Sequence, residues 1–344
     1  MTPRRNRRWI LSKLIDGRVD ASNFEWVESP VPAPADGEML VLNLWLSLDP
    51  TQVLHANGAT GPLSTAVGQP MHCTGASRVL ESRLPGFASG DLVRGWSGWE
   101  EYSILKRSGE APEDLPPEKL PPDMPPNLAL GTYGATGMAA YFGVVDVAQP
   151  KAGETFVVDS AAGGVGSIAG QIARVLGCRV IGLASGTTRR DWLVRALRFD
   201  GAIDPGSEDL EARLTALCPH GIDIFFFNSG RIGVLDAALA QLRRSGRVVL
   251  CGGTSYYLAK EAPPGPKNLL SLIMQEGRME GVLHWEHKAR FGEARDALGS
   301  WIRSGQLTSA EDVLAGLERA PEALARVFQG VNAGKQLLRL DDRT

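Results

Sequence analysis

The chain has no run of apolar residues as long as the about 18–20 that a helix needs to cross a bilayer, and it has no strong excess of charge of either sign. Its formal net charge is −3 with 22% charged residues, so no overall positive field attracts nucleic acid or anionic lipid. We therefore expect a protein whose partners include neither a nucleic acid nor a membrane.

Cysteine is scarce and scattered along the chain. No two cysteines have the close spacing that structural zinc sites or small disulfide-rich proteins use. The four are Cys73, Cys178, Cys218 and Cys251. This spacing predicts no metal site, no disulfide framework and a location in the reducing cytoplasm.

The 344 residues, 43% of them hydrophobic, are enough for two domains of ordinary size. Up to about residue 108, short apolar segments alternate with turn residues, which predicts a compact and partly barrel-like β domain. Seven prolines between Pro112 and Pro126 then predict a surface loop, because neither a helix interior nor a central strand tolerates them.

Beyond the prolines, apolar runs alternate with amphipathic stretches, which predicts a parallel sheet with crossover helices. The predicted strands are Thr155–Asp159, Arg179–Ala184, Gly201–Ile203, Ile222–Asn228 and Arg247–Cys251. The predicted helices between them are Ile168–Leu176, Asp191–Leu197, Leu210–Leu217 and Val234–Arg243. A last strand, Gln336–Leu340, is expected to return to the first domain.

A glycine-rich turn between strand and helix is the strongest chemical signal. Gly164, Gly166 and Ala169 satisfy the pattern G-x-G-x-x-A. In this pattern the first small residue permits a tight turn, the second lets the backbone approach a pyrophosphate, and the third lets the helix pack close to the strand. The helix N-terminus offers N–H groups and partial positive charge to phosphates. The turn therefore predicts dinucleotide binding.

The loop after the second predicted strand of this sheet indicates which dinucleotide binds. A site that selects NAD places a carboxylate about 20 residues after the first glycine, where this chain has Ser185. No Asp or Glu occurs from Ser160 through Arg190, and the loop carries Arg189 next to Arg190. A guanidinium group pairs with a 2′-phosphate, so NADPH is predicted. The alternative is that the two arginines are ordinary solvated charges.

With these residues, the chain resembles the medium-chain dehydrogenase/reductase superfamily. It is most similar to the zinc-free branch of NADPH-dependent alkenal and enone double-bond reductases. The resemblance spans nearly the whole chain and is carried by Asn6–Trp9, Leu46–Pro50, Tyr141–Asp146, Gln149–Glu154, Ala161–Gly166, Gly221–Asp223, Cys251–Gly252 and Asn332–Lys335. It implies an α/β fold, in which a doubly wound Rossmann domain accompanies a GroES-like, partly barrel-shaped β domain. The expected boundaries are 1–127 for the β domain, 128–300 for the NADP-binding Rossmann domain and 301–344 for the return to the β domain.

The resemblance also implies site residues. Arg189 would hold the 2′-phosphate, the loop from Ala161 to Gly166 would cradle the pyrophosphate, and Tyr257 would be the active-site tyrosine. The implied cofactor contacts are Ala161, Gly163, Gly164, Val165, Gly166, Ser185, Arg189, Asn228, Cys251, Gly252, Tyr257 and Asn332. The segment Thr51–His55, together with Phe227 and Pro205, departs from the family's usual residues.

The expected activity is zinc-independent reduction of the C=C bond of an α,β-unsaturated ketone or aldehyde by NADPH. Tyr257 is the candidate donor to the enolate oxygen, with a water or the cofactor's ribose hydroxyl as alternative proton sources. The alternatives to this activity are a quinone reductase, a zinc-free alcohol dehydrogenase, or a non-catalytic NADPH-binding interaction protein. A homodimer is expected through Met279–Trp285 as an edge strand.

Overall fold

A computed structural model of the chain describes residues 5–58, 64–107, 115–206 and 209–340. These residues divide into two compact units. Unit 1 lies within Met1–Gly131, Glu311–Val331 and Gln336–Thr344, and unit 2 consists of Thr132–Ala310 and Asn332–Lys335. Each unit is described by itself below.

Strands predominate in the first hundred residues, and the longer helices come later in the chain. The strands are β1 (Arg5–Leu11), β2 (Phe24–Pro30), β3 (Glu38–Ser47), β4 (His72–Ser82), β5 (Leu92–Gly98), β6 (Tyr102–Lys106), β7 (Glu118–Lys119), β8 (Thr155–Val158), β9 (Arg179–Leu183), β10 (Gly201–Ile203), β11 (Ile222–Phe227), β12 (Leu242–Leu250), β13 (Arg278–Gly281), β14 (Glu311–Ala315) and β15 (Lys335–Arg339). The α-helices are α1 (Gln52–Ala56), α2 (Pro126–Leu130), α3 (Ala135–Phe142), α4 (Gly164–Val175), α5 (Thr187–Arg195), α6 (Leu210–Leu217), α7 (Ile232–Ala240), α8 (Thr254–Tyr257), α9 (Leu270–Met274), α10 (Phe291–Arg303) and α11 (Ala320–Gln329). Short 3₁₀ helices cover Ala21–Asn23, His284–Arg290 and Leu317–Arg319, and a π-helix covers Gly143–Ala148.

Unit 1 is built on a sheet with strand order β14-β15-β3-β4-β5-β7, with β6 pairing to β3 and a separate ladder between β1 and β2. The pairs of β3 with β4, β6 and β15 are antiparallel, as is the pair of β4 with β5. Alternate residues of these strands bury one face, and the cluster on it comprises Met39, Val41, Val79, Leu84, Val93 and Leu105. The predicted β domain is confirmed.

The proline-rich segment is only partly the surface loop that was predicted. Its described part, from residue 115 onward, includes the two-residue strand β7, which pairs with β5 and ends the strand order, and Leu120, which is buried. Pro126 begins α2, where its missing N–H costs no intrahelical bond. The prolines are therefore accommodated at a sheet edge and at a helix start.

Unit 2 contains a six-stranded parallel sheet with strand order β10-β9-β8-β11-β12-β13. Counted along the chain, this is the order 3-2-1-4-5-6 of a doubly wound dinucleotide-binding fold, and the order reverses between β8 and β11. The central strands are apolar on both faces, as Val157 and Phe225 to Phe227 show by being fully or almost fully buried. The predicted α/β fold class is confirmed.

Three predicted helices have different bounds in the structure. The predicted helix Asp191–Leu197 corresponds to α5, which begins at Thr187 and ends at Arg195. Helix α4 begins at Gly164 rather than at Ile168, because the glycines of the turn adopt helical backbone themselves. The predicted helix Val234–Arg243 ends at Ala240, and its last residues belong to β12, which begins at Leu242. The predicted edge strand Met279–Trp285 is limited to β13, and His284 already lies in a 3₁₀ helix.

Candidate active site

The turn between β8 and α4 is sharp at Ser160, whose φ is +51°. Gly163 caps the helix with extended backbone, and Gly164 is the first helical residue. The predicted tight-turn role of Gly164 is therefore wrong, because the residue in the left-handed region is Ser160. Gly163, Gly164 and Val165 are partly exposed, whereas Ala161 and Gly166 are buried.

Small residues are needed in this turn because backbone and side-chain atoms of other residues lie close to them. A Cβ atom on Gly166 would stand 2.3 Å from the Ser160 carbonyl oxygen, and one on Gly164 would stand 2.9 Å from Cγ2 of Thr136. The first N–H groups of a helix have no intrahelical partner, and α4 begins at Gly164 and Val165, which are partly exposed. A cradle of this kind fits a dinucleotide pyrophosphate.

The segment Asn332–Lys335 runs beside the glycine-rich turn. The N–H of Gly334 donates to the carbonyl of Ala162 at 2.8 Å, and a parallel bridge pairs Gly334 with Gly163. Asn332 is buried and donates from Nδ2 to the Gly334 carbonyl at 2.8 Å. The structure therefore brings Asn332 to the turn, as the resemblance implied.

Ser185 and Arg189 lie where β9 ends. Gly186, with φ +83°, opens α5, and Arg189 is in the first turn of that helix. Partial burial lowers the pKa of the Arg189 guanidinium, and the negative charge of Asp204 opposes this effect. The guanidinium still carries its positive charge at neutral pH.

Sequence reasoning missed Asp204 in this loop. It follows β10, and its carboxylate accepts hydrogen bonds from the N–H of Gly186 at 2.8 Å and from the N–H of Gly206 at 3.0 Å. The loop thus has a carboxylate nearby, although the stretch from Ser160 through Arg190 contains none. Both of its oxygens are engaged by backbone N–H groups, so its charge is partly compensated.

Asn228 and Gly252 are in direct contact where β11 and β12 end. A Cβ on Gly252 would lie 2.4 Å from the Asn228 Oδ1 atom, so only glycine fits beside this side chain. Cys251 donates its N–H to the Phe227 carbonyl at 3.0 Å, and burial raises the pKa of its thiol to about 12. Cys251 is therefore a neutral packing residue rather than a nucleophile.

Tyr257 is the last residue of the short helix α8. Burial raises the pKa of its hydroxyl, and a hydrogen bond from the Gly253 backbone opposes this rise. Tyr256 is 36% exposed, and its ring lies against Gly230 and Gly253. Tyr257 is half-buried, and the raised pKa of its hydroxyl keeps it protonated at neutral pH.

Asp159 is a second residue that sequence reasoning missed. It is 2% exposed and stands directly after β8. Its Oδ1 accepts the N–H of Ser160 and its Oδ2 accepts the N–H of Ser229, each at 2.8 Å. The only sequence signal was a carboxylate between an apolar strand and a glycine-rich turn.

The segment Thr51–His55, the main departure from the family pattern, belongs to unit 1. Gln52 is buried and donates from Nε2 to the His72 carbonyl at 2.9 Å. The His55 ring meets the Trp96 ring edge to face, with centroids 5.7 Å apart. His55 is therefore partly buried and packed against an aromatic ring.

The predicted site residues of unit 2 collect at one edge of its sheet. Apart from Asn332, which lies beside the glycine-rich turn, they follow β8, β9, β11 and β12 at the carboxyl ends of these strands, which is where doubly wound folds bind their ligands. Over the described ranges, no group of three or more His, Cys, Asp or Glu side chains is arranged to hold a metal ion. None of the helices in those ranges has the length and apolar character needed to cross a membrane.

Comparison with known proteins identifies the family. The family model "N-terminal domain of oxidoreductase" matches residues 7–112, and "Zinc-binding dehydrogenase" matches residues 164–299. The chain is 35% identical to the NADPH-dependent curcumin reductase of Escherichia coli, over 98% of this chain and 97% of that protein. It is 37% identical to the NADP⁺-dependent 2-alkenal reductase of Nicotiana tabacum, over 97% of each chain.

A solved structure gives the same assignment. The crystal structure of CurA from Vibrio vulnificus in complex with NADPH superposes with a TM-score of 0.89 at 33% identity, covering 98% of this chain and 99% of that one. The match covers both units, as do the two relatives above. The chain belongs to the medium-chain dehydrogenase/reductase superfamily, in its zinc-free branch of alkenal and enone double-bond reductases.

Proposed function

We propose that this protein reduces the C=C bond of α,β-unsaturated ketones and aldehydes with NADPH. Bound NADPH supplies a hydride to the β-carbon, the π electrons move to the carbonyl oxygen as an enolate, and a proton then adds to the α-carbon. The products are the saturated carbonyl compound and NADP⁺. The two relatives and the solved structure named above, each similar over nearly the whole chain, support this reading.

The observation that carries the proposal is the arrangement at the carboxyl edge of the unit 2 sheet. The turn from Ala161 to Gly166 offers helix N–H groups to the pyrophosphate, with Asn332 beside it. Arg189 follows β9 and offers a guanidinium group to a 2′-phosphate. Contacts from Ser185, Asn228, Cys251, Gly252 and Val165 complete the proposed cofactor site.

Tyr257 is the proposed donor to the enolate oxygen. Its hydroxyl accepts a hydrogen bond from the Gly253 backbone, which leaves its own proton free to donate. Burial raises the pKa of this hydroxyl, so the proton stays in place at neutral pH. A donor directed at the oxygen where negative charge develops stabilises the transition state more than the ground state.

A substrate screen tests the proposal. The purified protein is given NADPH with an enone, an alkenal, a quinone, a saturated ketone or an alcohol with NADP⁺, and the products are identified by mass spectrometry. We expect consumption of NADPH with the enone and the alkenal, and a product reduced at C=C with the carbonyl retained. Faster turnover of quinones would favour a quinone reductase, alcohol oxidation a zinc-free alcohol dehydrogenase, and NADPH binding without any turnover a non-catalytic protein.

We also propose that the protein is a homodimer and is cytoplasmic. The dimer is supported by β13, which is the last strand in the order of the unit 2 sheet among the described residues, and by the exposed apolar residues of the neighbouring helix α9. The location is supported by the small number and wide spacing of the cysteines along the chain. Sedimentation and fractionation of the expressing cell are the corresponding measurements.

A further inference from the structure

Asp159 stands at the point where the strand order of the unit 2 sheet reverses, between β8 and β11. Its own N–H donates to the Phe226 carbonyl at 2.9 Å, so its backbone is fixed in the ladder with β11. Its two carboxylate oxygens accept one N–H from each of the loops that follow these two strands. One buried side chain therefore joins two loops that are far apart in the sequence.

The first of these loops is the glycine-rich turn. The hydrogen bond from Ser160 to Asp159 falls on the one residue of that turn with a left-handed backbone. Such a conformation is strained for a non-glycine residue, so it needs local support. The carboxylate supplies that support, and with it the position of Gly163 at the start of α4.

The second loop leads to Tyr257. Ser229, whose N–H donates to Asp159, accepts two hydrogen bonds at its carbonyl from Ser255, one from the N–H at 2.8 Å and one from Oγ at 2.7 Å. Ser255 is in α8, two residues before Tyr257. A continuous chain of hydrogen bonds thus runs from Ser160 through Asp159 and Ser229 to α8.

We propose that Asp159 is a positioning residue that holds the pyrophosphate turn and the Tyr257 helix in a fixed relation to each other. This inference rests on the proposed function, because it concerns how the cofactor and the proton donor are aligned. Asp159 itself touches neither. Its loss is expected to weaken both NADPH binding and the chemical step, whereas a loss of packing alone would change only stability.

The negative charge of the Asp159 carboxylate acts against NADPH binding and must be separated from its positional effect. A buried carboxylate close to a pyrophosphate site repels the phosphates, so removal of the charge by itself would tighten NADPH binding. Burial raises the pKa of Asp159, and the hydrogen bonds from Ser229 and Ser160 together with the positive charge of Arg231 oppose this rise. Because both oxygens already accept backbone N–H groups, we expect the positional effect to exceed the repulsion.

Asp223 provides a matched control at the opposite edge of the same sheet. Its Oδ2 accepts the N–H of Thr155 at 2.8 Å, so it also joins β11 to β8, but at the amino ends of the strands. Its side chain is 12% exposed. Asp159→Asn and Asp223→Asn therefore each disturb one carboxylate link between the same two strands, and only one of the links lies at the proposed site.

The experiment compares the wild type, Asp159→Asn, Asp159→Ala and Asp223→Asn. NADPH affinity is measured by calorimetry, kcat and KM for an enone by steady-state kinetics, and amide hydrogen exchange in the segments that contain Ser160 and Ser229. For Asp159→Asn we expect an NADPH Kd raised about tenfold, a kcat lowered by a similar factor, an unchanged KM for the enone, and faster exchange in both segments. Asp159→Ala should lose more, and Asp223→Asn should retain the wild-type Kd and kcat.

Two results would overturn the inference. Tighter NADPH binding by both Asp159 variants would mean that charge repulsion dominates, and equal effects of Asp159→Asn and Asp223→Asn would reduce Asp159 to a general structural role.

If the Asp159 variants do not fold, Ser255→Ala replaces them, because the Ser255 hydroxyl holds α8 to the Ser229 carbonyl and the residue is exposed. A kcat lowered about two- to fivefold with an unchanged NADPH Kd is then expected, and an unchanged kcat refutes the proposed link to α8. A wild type that binds no NADPH would instead refute the proposed function.

Discussion

At the scale of single residues, Arg189 carries the choice between the two dinucleotides. Its guanidinium is in the first turn of α5, and no acidic residue lies between Ser160 and Arg190. A charge-assisted hydrogen bond to a phosphate stabilises a complex by about 1.5–3 kcal/mol. Arg189→Ala is therefore expected to raise the Kd for NADPH about 10- to 100-fold and to leave the Kd for NADH nearly unchanged, as measured by calorimetry.

Arg195→Ala is the control for this prediction. Arg195 is on the same helix, with a side chain 80% exposed and an ion pair to Asp191. Its removal changes the net charge by the same amount, but far from the end of β9. Equal loss of both dinucleotides in Arg189→Ala would contradict the assignment of this residue to the 2′-phosphate.

Tyr257 is the second residue with a specific expected effect. Tyr257→Phe removes the hydroxyl and keeps the ring, so NADPH affinity should be retained. Removal of a proton donor that acts in the transition state costs about 100-fold in kcat. Steady-state kinetics with an enone measures this loss, and Tyr256→Phe, whose ring is partly exposed, should behave as the wild type.

The pH dependence of kcat is an independent test of the role of the Tyr257 hydroxyl. A donor acts in its protonated form, and burial raises the pKa of Tyr257 above the usual tyrosine value of about 10. The kcat should therefore stay flat through neutral and mildly alkaline pH and fall only when the pH exceeds that value. A decline near pH 8 that disappears in Tyr257→Phe would mean a much more acidic hydroxyl than the structure gives.

At the scale of elements, the glycine-rich turn depends on close approach of backbone atoms. A methyl group on Gly166 would stand 2.3 Å from the Ser160 carbonyl, so Gly166→Ala must displace the turn. Overpacking of this kind costs about 1–3 kcal/mol of unfolding free energy, and NADPH affinity should fall with it. Gly233→Ala in α7 is the control, because a Cβ there meets no atom within 4 Å. Its unfolding free energy should change by less than about 1 kcal/mol, toward greater stability.

A buried carboxyl group in unit 1 gives a pH-dependent stability. Glu100 accepts hydrogen bonds from Ser103 Oγ at 2.8 Å and from Asn6 Nδ2 at 3.0 Å, and burial raises its pKa. A folded-state pKa above the unfolded value of about 4.3 means that the native state binds more protons. The stability that Glu100 contributes is then complete below that value and is lost as pH rises through the folded-state pKa.

The variant Glu100→Gln tests the expected direction in which the stability contributed by Glu100 changes with pH. The variant should lose unfolding free energy relative to the wild type at pH 4, where the wild-type carboxyl is protonated and hydrogen-bonded. The loss should shrink at pH 8, where the wild type bears the cost of a buried charge. Denaturant unfolding at the two pH values measures the difference, and a loss that grows with pH would contradict the expected direction.

Some elements could be predicted from the pattern of apolar, polar and turn residues within their own sequence. Strand β10 and helix α6 have the predicted bounds to the residue, since each is an apolar or amphipathic run that ends at a turn residue. The dinucleotide-binding motif could also be recognised from the sequence, because the strand, the glycines and the helix are adjacent in the chain. The start of α4 was not, since glycine is compatible with both turn and helix.

The contacts that complete the site could not be predicted in the same way. Asp159 bonds to a residue 70 positions away, and Asp204 bonds to one 18 positions away. These partners meet only because the sheet places β8 between β9 and β11, and β10 beside β9. Periodicity along the chain carries no information on which loops become neighbours at the sheet edge, so both carboxylates were overlooked.

At the scale of the whole molecule, the apolar surface of α9 is the feature that bears on assembly. Leu270, Ile273 and Met274 are 63%, 74% and 67% exposed, and α9 is followed after three residues by the edge strand β13. Exposed apolar residues grouped beside an open strand edge are typical of a subunit interface. In the proposed homodimer these side chains would be buried against the second copy.

The double variant Leu270→Lys, Ile273→Lys is therefore expected to shift the protein from dimer to monomer. Two ammonium groups facing their symmetry copies would have to be desolvated and would repel each other, which opposes association. Sedimentation velocity over a range of concentrations measures the change. Val194→Lys, on α5 with 42% exposure, is the matched control and should sediment as the wild type. A wild type that sediments as a monomer would contradict the proposed dimer, and a double variant that remains dimeric would place the interface elsewhere. NADPH binding by the monomeric variant would show that the cofactor site of unit 2 is complete within one chain.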